Sequence, residues 1–360
     1  MNRIERNFSM NQIKFIPLLF VLMLSACNGC NKSKSREKPD VSNIKAEAHL
    51  QRFDKDLFEI TEQNFFAKQN EMNEKYGSFY KFYINQFVIG PRPEGDTADV
   101  AEAALKKFLG DAYMRRLQDS INVHFADTKE VEEELTQSLK YFKYYFPDAV
   151  VPKVIAINSG FSLGAFTYDK EVLGIGLDLY LGANNPDYDS AGIYKYVQHK
   201  MSRAYITRNS MEVLGNFYFG GEELSHGKTL IEAMTEKGKK MYLLSYLLPD
   251  APDSLIVGFT DRQTRWCENS EYEIWKFMND KDLLYKDNYM DQKRYLDEGP
   301  TTPGMPEDSP GNIGSWIGLQ IVRKFMKETG GKISLQDLML KYDAKTILAK
   351  AKYRPSKSVF

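Results

Sequence analysis

The sequence predicts a mostly helical α+β protein in which one small antiparallel or mixed sheet is set among helices. Three observations point there. Apolar residues recur at helical spacing over long stretches on both sides of residue 150. Between Val150 and Leu181 the period shortens to that of strands, with a turn at Asp169-Lys170. Helix starts are marked by capping sets such as Thr229…Glu232 and Ser334…Asp337, and Pro147 marks a stop.

At the N-terminus, Lys14 precedes a short apolar run from Phe15 to Leu24, and Leu24-Ser25-Ala26-Cys27 has the form of a lipobox. The run is shorter than the roughly 20 residues that a spanning helix needs, so it reads as a cleaved signal over residues 1–26, with Cys27 as the lipidated new N-terminus. More than one buried acyl chain gives a stable membrane anchor. Residues 27–43 are polar and basic, with Lys32, Lys34, Arg36 and Lys38, and read as a flexible tether.

The remaining roughly 320 residues suffice for one large domain or two fused lobes. Net charge is -1, which argues against nucleic acid as a partner, because phosphate binding needs a basic excess. Of three cysteines, Cys27 carries lipid, Cys30 lies in the tether and Cys267 alone lies in the body, so no cysteine metal cluster can form. The four histidines, His49, His124, His199 and His226, include no pair at ligand spacing.

Residues 44–149 form a first, mainly helical region. A strand is expected over 44–52, then helices over 53–73, 79–88, 97–117 and 128–145, the last with a capping box at Asp127-Thr128-Lys129-Glu130. The aromatic run from Tyr141 to Phe146 reads as core. Residues 150–355 form the second region, with strands at 151–157, 165–168 and 172–181 completing a sheet over 150–182. Helices follow over 193–248, and the C-terminal helices run over 260–355: 260–279, 311–328, 334–340 and 344–352. Arg265, Trp266, Trp275 and Trp316 could form a ligand shelf, although tryptophan in a helical core is the commoner case.

A sheet followed by two helices is the element order of a zincin catalytic lobe, where one helix carries H-E-x-x-H and a later one the third zinc ligand. On a helix expected over 193–209, His199 takes the first histidine position, Lys200 that of the general base and Arg203 that of the second histidine. Glu232, on the next helix, takes the place of the third ligand. A lysine is protonated near neutral pH, and arginine has no lone pair to donate. A fixed cation roughly 5 Å from a divalent ion costs on the order of 6 kcal/mol at an effective dielectric of about 20. These positions therefore read as a degenerate site without metal or cofactor, in which Arg203 pairs with Glu232. Glu232 has a plainer reading as the far member of the Thr229 capping box.

Seven segments together resemble the gliding-motility lipoprotein GldB family of Bacteroidota. They are the lipobox at Cys27, Gln51 to Phe58, Tyr141 to Pro147, Leu173 to Gly182, Leu247 to Asp250, Trp266-Cys267-Glu268, and Ser309 to Gly318. The resemblance implies an envelope lipoprotein held by its N-terminal lipid, expected in the outer membrane facing the periplasm. Its implied partners are other proteins of the gliding machinery and the type IX secretion linked to it, and its implied fold is zincin-like. The leading expectation is a non-catalytic structural or interaction component, a pseudoenzyme. Two alternatives stay open. One is a metallohydrolase using His199 and Glu232 with Glu223 and His226; the other is an envelope module that binds glycan or peptide through exposed aromatics.

Overall fold

The computed structural model describes residues 38–90, 98–220 and 227–357. In chain order the elements are β1 (Leu50–Arg52), α1 (Phe53–Phe58), α2 (Phe65–Tyr76), α3 (Ser78–Tyr83) with a π-helical continuation over Ile84–Ile89, α4 (Ala98–Gly110), α5 (Ala112–His124) and α6 (Lys129–Tyr145). The sheet continues with β2 (Lys153–Ile157), β3 (Ala165–Tyr168) and β4 (Val172–Gly176), and β4 runs into a 3-10 turn, Leu177–Tyr180. Next come α7 (Asp187–Ser190), α8 (Lys195–Gln198), α9 (Ala204–Phe219), α10 (Leu230–Leu247), α11 (Asp253–Val257), α12 (Asp261–Asn269) and α13 (Glu271–Asp280). The last elements are α14 (Tyr289–Leu296), α15 (Ile313–Glu328), α16 (Leu335–Lys341) and α17 (Ala344–Ala351). The mostly helical α+β expectation therefore holds.

The sheet is mixed, in the order β1-β2-β4-β3. β1, β2 and β4 run parallel, and β3 returns antiparallel to β4 through the expected turn at Asp169-Lys170. Alternation along β2 divides the core. Val154 and Ala156 join Leu173 and Ile175 of β4 in one cluster with α5, α6, α9, α10 and α15, while Ile155 and Ile157 join an aromatic cluster with α1 to α4 on the other face. Because β1 pairs with β2, the first helical region and the second share this sheet, and from Asp40 onward the chain is one compact unit.

The Gln51 to Phe58 segment shows why one sheet edge and the helical layer hold together. Phe53 is fully buried among Tyr76, Phe79, Tyr80 and Tyr83. Asp54, also fully buried, accepts two bonds from Arg52, at 2.9 and 2.8 Å, and one from Gln118 at 2.8 Å. Arg52 also donates to the Phe125 carbonyl at 2.8 Å, so the buried charges are paired and satisfied.

Several expected boundaries shift for local reasons. The strand expected over 44–52 shortens to β1 because side chains on α6 take its upstream amides: Thr136 Oγ1 accepts from Ala48 and Glu132 Oε1 from Leu50. The expected helix 97–117 divides at Asp111, whose carboxylate caps α5 by accepting from the amides of Tyr113 and Met114. The helix expected over 260–279 divides at Ser270. The strand expected over 172–181 stops at Gly176, and α14 was not foreseen. No capping box forms at α6, since Asp127 accepts from the Lys129 amide and Glu130 turns outward to Arg203. The boxes at Thr229…Glu232 and the cap at Ser334 form as expected.

α10 is the hub of the C-terminal half, with 14 of its 18 residues buried, so it presents no solvent stripe of ordinary width. It meets α15 backbone to backbone. A Cβ on Gly318 would lie 1.7 Å from the Met234 carbonyl oxygen, and one on Gly238 would lie 2.1 Å from the Gly318 oxygen. Trp316, fully enclosed beside this contact, is core and not shelf, while Trp275 stands edge-on to Tyr353.

Gly318→Ala should lower the free energy of unfolding by about 3 kcal/mol or more, since a packed backbone can yield only by separating the helices. Gly110→Ala, where a Cβ meets nothing within 4 Å, should change it by less than about 1 kcal/mol in the same urea titration.

Candidate functional site

The residues singled out from the sequence do not converge. The helix expected over 193–209 is broken: α8 ends at Gln198, His199 caps it, and the chain turns through Arg203 before α9 begins. The break has a tertiary cause. The Gly182 amide takes the Met201 carbonyl at 2.9 Å, and the Gln198 amide group is held by Asp189 and the Ile193 carbonyl. His199 and Arg203 therefore do not share a helix face.

Each of the four side chains has other work. His199 Nδ1 lies 3.0 Å from the Tyr196 carbonyl and Nε2 lies 3.2 Å from the Gly258 carbonyl, so both ring nitrogens are turned toward backbone oxygens and not toward the other positions of the motif. Burial lowers its pKa, and neighbouring Lys200 adds to that. Arg203 lies 2.6 Å from Glu130 on α6, an ion pair without directed hydrogen-bond geometry at that nitrogen. Glu232 closes the α10 capping box, accepting from the Thr229 amide and hydroxyl at 2.8 Å each. The amide bond from Thr229 is the main cause holding its pKa below the ordinary carboxylate value, and Lys345 stands 3.6 Å away. The expected Arg203–Glu232 pair is thus not formed. Glu223, His226 and Cys27 lie outside the described residues.

Lys200 does reach a site. It lines a cavity of about 590 Å3 bounded by the start of β3, the 3-10 turn, α9, α10, the end of α14 and the residue before α15. Its side chain is 18% exposed and its ammonium lies 2.6 Å from Glu298. Burial lowers the Lys200 pKa, and the Glu298 charge opposes that shift. Glu298 also accepts from Asn312 at 3.1 Å, and Ser315 donates to Asn312 at 2.5 Å. Glycines make this arrangement possible. A Cβ on Gly311 would lie 2.4 Å from Gly299, so the loop folds tightly and places Glu298 beside Asn312; Gly258, at φ +81, leaves the corridor through which Lys200 passes.

On α9, Arg208, Asn209 and Glu212 line the same cavity. Their i, i+1, i+4 spacing is that of H-E-x-x-H, but the groups are a guanidinium, an amide and a carboxylate. Arg208 pairs with Glu212, donates to Asn209 at 3.1 Å and reaches the Ile256 carbonyl. Asn209 donates to Tyr180 at 3.0 Å. Such donors do not fit a zinc ion, and among the described residues no group of three or more His, Cys, Asp or Glu side chains is placed to hold a metal. The sequence reading missed Arg208, Glu212, Tyr180, Glu298 and Asn312. The repeat of the motif spacing one helix later could have drawn attention to the first two.

Beneath the cavity wall, Asp178 is fully buried and ties the end of β2 to the 3-10 turn, accepting from Ser159 N and Oγ at 2.8 Å each and from Phe161 N at 2.5 Å. Burial pushes its pKa up to about 6, and these donors oppose the rise.

Fold and site together define a class: a mostly helical α+β domain enclosing a cavity in whose wall Lys200 pairs with Glu298 and Arg208 with Glu212. No helix among the described residues is long and apolar enough to cross a membrane. The chain belongs to the family of the gliding motility protein GldB, whose model matches residues 34–355, and so stands among gliding motility lipoproteins. No curated protein and no solved structure matches the chain.

Because burial holds the His199 pKa below 6.5, the folded state favours the neutral ring. Its contribution is therefore whole above pH 6.5 and is lost as pH falls below it. In urea melts the wild type should lose stability relative to His199→Gln below pH 6.5, and the two should run parallel above it.

Proposed function

We propose that this chain is a lipid-anchored, non-catalytic interaction component of the gliding and secretion-linked envelope machinery, held through Cys27 in the outer membrane and facing the periplasm. Family membership supports the setting. The observation that carries the non-catalytic part is the wall of the cavity: at the i, i+1, i+4 positions of α9 a guanidinium and a carboxylate neutralise each other, and Lys200 is tied to Glu298. A metal brought there would meet fixed cations, and a water molecule would find no free base of the kind hydrolysis needs. The zincin-like fold belongs to the same reading, supported by the order sheet, α9, α10 and by the spacing on α9.

Cys27→Ser should move the protein from the membrane to the soluble fraction and abolish rescue of gliding in a strain lacking its GldB protein. Purified, dialysed protein should carry far less than one equivalent of zinc or iron by elemental analysis; a stoichiometric metal would overturn the non-catalytic reading.

A further inference from the structure

The cavity opens beside the edge of the sheet. β3 is an outermost strand, and its first residue Ala165, with Gly164 just before it, forms part of the cavity wall. The Gly176 amide donates to the Gly164 carbonyl at 2.9 Å, which sets the alternation of the ladder. Phe166 and Tyr168 then bond to β4, while the backbone N–H and C=O of Ala165 and Thr167 point away from it. Among the described residues no group takes up those two N–H donors. An unpaired strand edge accepts an extended chain through its main-chain groups.

The charge of the cavity selects what that chain carries. Glu298 and Glu212 are already engaged by Lys200 and Arg208, and Asp297 turns to Lys293 at 3.4 Å. The ammonium of Lys237 meets, among the described residues, the carbonyl of Leu296 and no carboxylate. A buried wall with a cation in excess favours a carboxylate over an ammonium. We propose that β3 and this cavity bind an extended acidic peptide: its backbone adds as a strand along Ala165 and Thr167, and a carboxylate reaches Lys237. The inference rests on the interaction role proposed above and names the chemistry of the partner.

The test uses fluorescein-labelled peptides of alternating threonine and valine, read by anisotropy against the full chain without its lipid. One ends in glutamate with a free C-terminus, one carries the glutamate but is amidated, one is amidated with lysine in its place, and one is N-methylated at alternate residues. The acidic peptides should bind at least tenfold more tightly than the lysine and N-methylated forms, and the free and amidated acids tell a C-terminal carboxylate from a side-chain one. Lys237→Glu should reverse the preference for acid. Thr167→Pro removes an outward N–H that an edge strand can spare and should weaken acidic binding about tenfold with an unchanged melting curve. Should that variant unfold, slowed hydrogen exchange at Ala165 and Thr167 on adding the acidic peptide to the wild type supports the same conclusion. Equal binding of all four peptides, no binding at millimolar concentration, or unaltered exchange at Ala165 and Thr167 overturns it. If gliding still fails with Cys27→Ser in that event, the peptide site falls while the envelope role stands.

Discussion

The close approach of α10 and α15 is the constraint on which most of the structure depends. Gly238 and Gly318 let the two helix backbones touch, and Gly314, one turn before Gly318, packs against Met234 and the end of α14. Because the helices meet without side chains between them, the register of one against the other is fixed to within a fraction of an ångström. That register sets where the N-terminal residue before α15 sits, and so where Asn312 and Glu298 meet Lys200. The Ser309 to Gly318 segment is thus a geometric device twice over: its first glycine folds the loop and its later ones seat the helix.

The cavity is polar, with its carboxylates engaged by cations and Lys237 held by a carbonyl. Glu212 and Asp297 are met by cations four residues earlier in the chain, and Glu298 by Lys200 from far away in sequence. Paired charges of this kind cost desolvation and return it through hydrogen bonds, and they are more sensitive to removal of one partner than to loss of both. Asp178 works similarly below the wall. Three donors converge on one carboxylate from the turn at Ser159 to Phe161, where Phe161 itself adopts a left-handed backbone at φ 63. Tyr180, two residues further, is thereby placed to receive Asn209. The wall of the cavity and the end of the sheet are one construction.

Much of the fold was legible because it is written in local periodicity. The alternation in β2, the turn at Asp169-Lys170 and the caps at Thr229 and Ser334 depend on residues within a few positions of each other. The site was less legible. H-x-x-x-R at His199 and Arg203 has helical spacing, but a single bond from Gly182 to the Met201 carbonyl interrupts the helix between them. Spacing along a chain says that two side chains could share a face only if the helix persists, and its persistence was decided from elsewhere. Glu130 shows the same thing: its position suggested a cap, and Arg203 drew it away.

The sequence by itself determined the mostly helical α+β class, the helix caps and, through segments spread along its length, the family; each is encoded in short-range pattern or residue order. Only the tertiary structure decided which charges meet. Lys200 with Glu298 and Arg203 with Glu130 are contacts between residues separated by long stretches of chain. The first follows from how α10 and α15 pack with glycine at their contact, which no local pattern records.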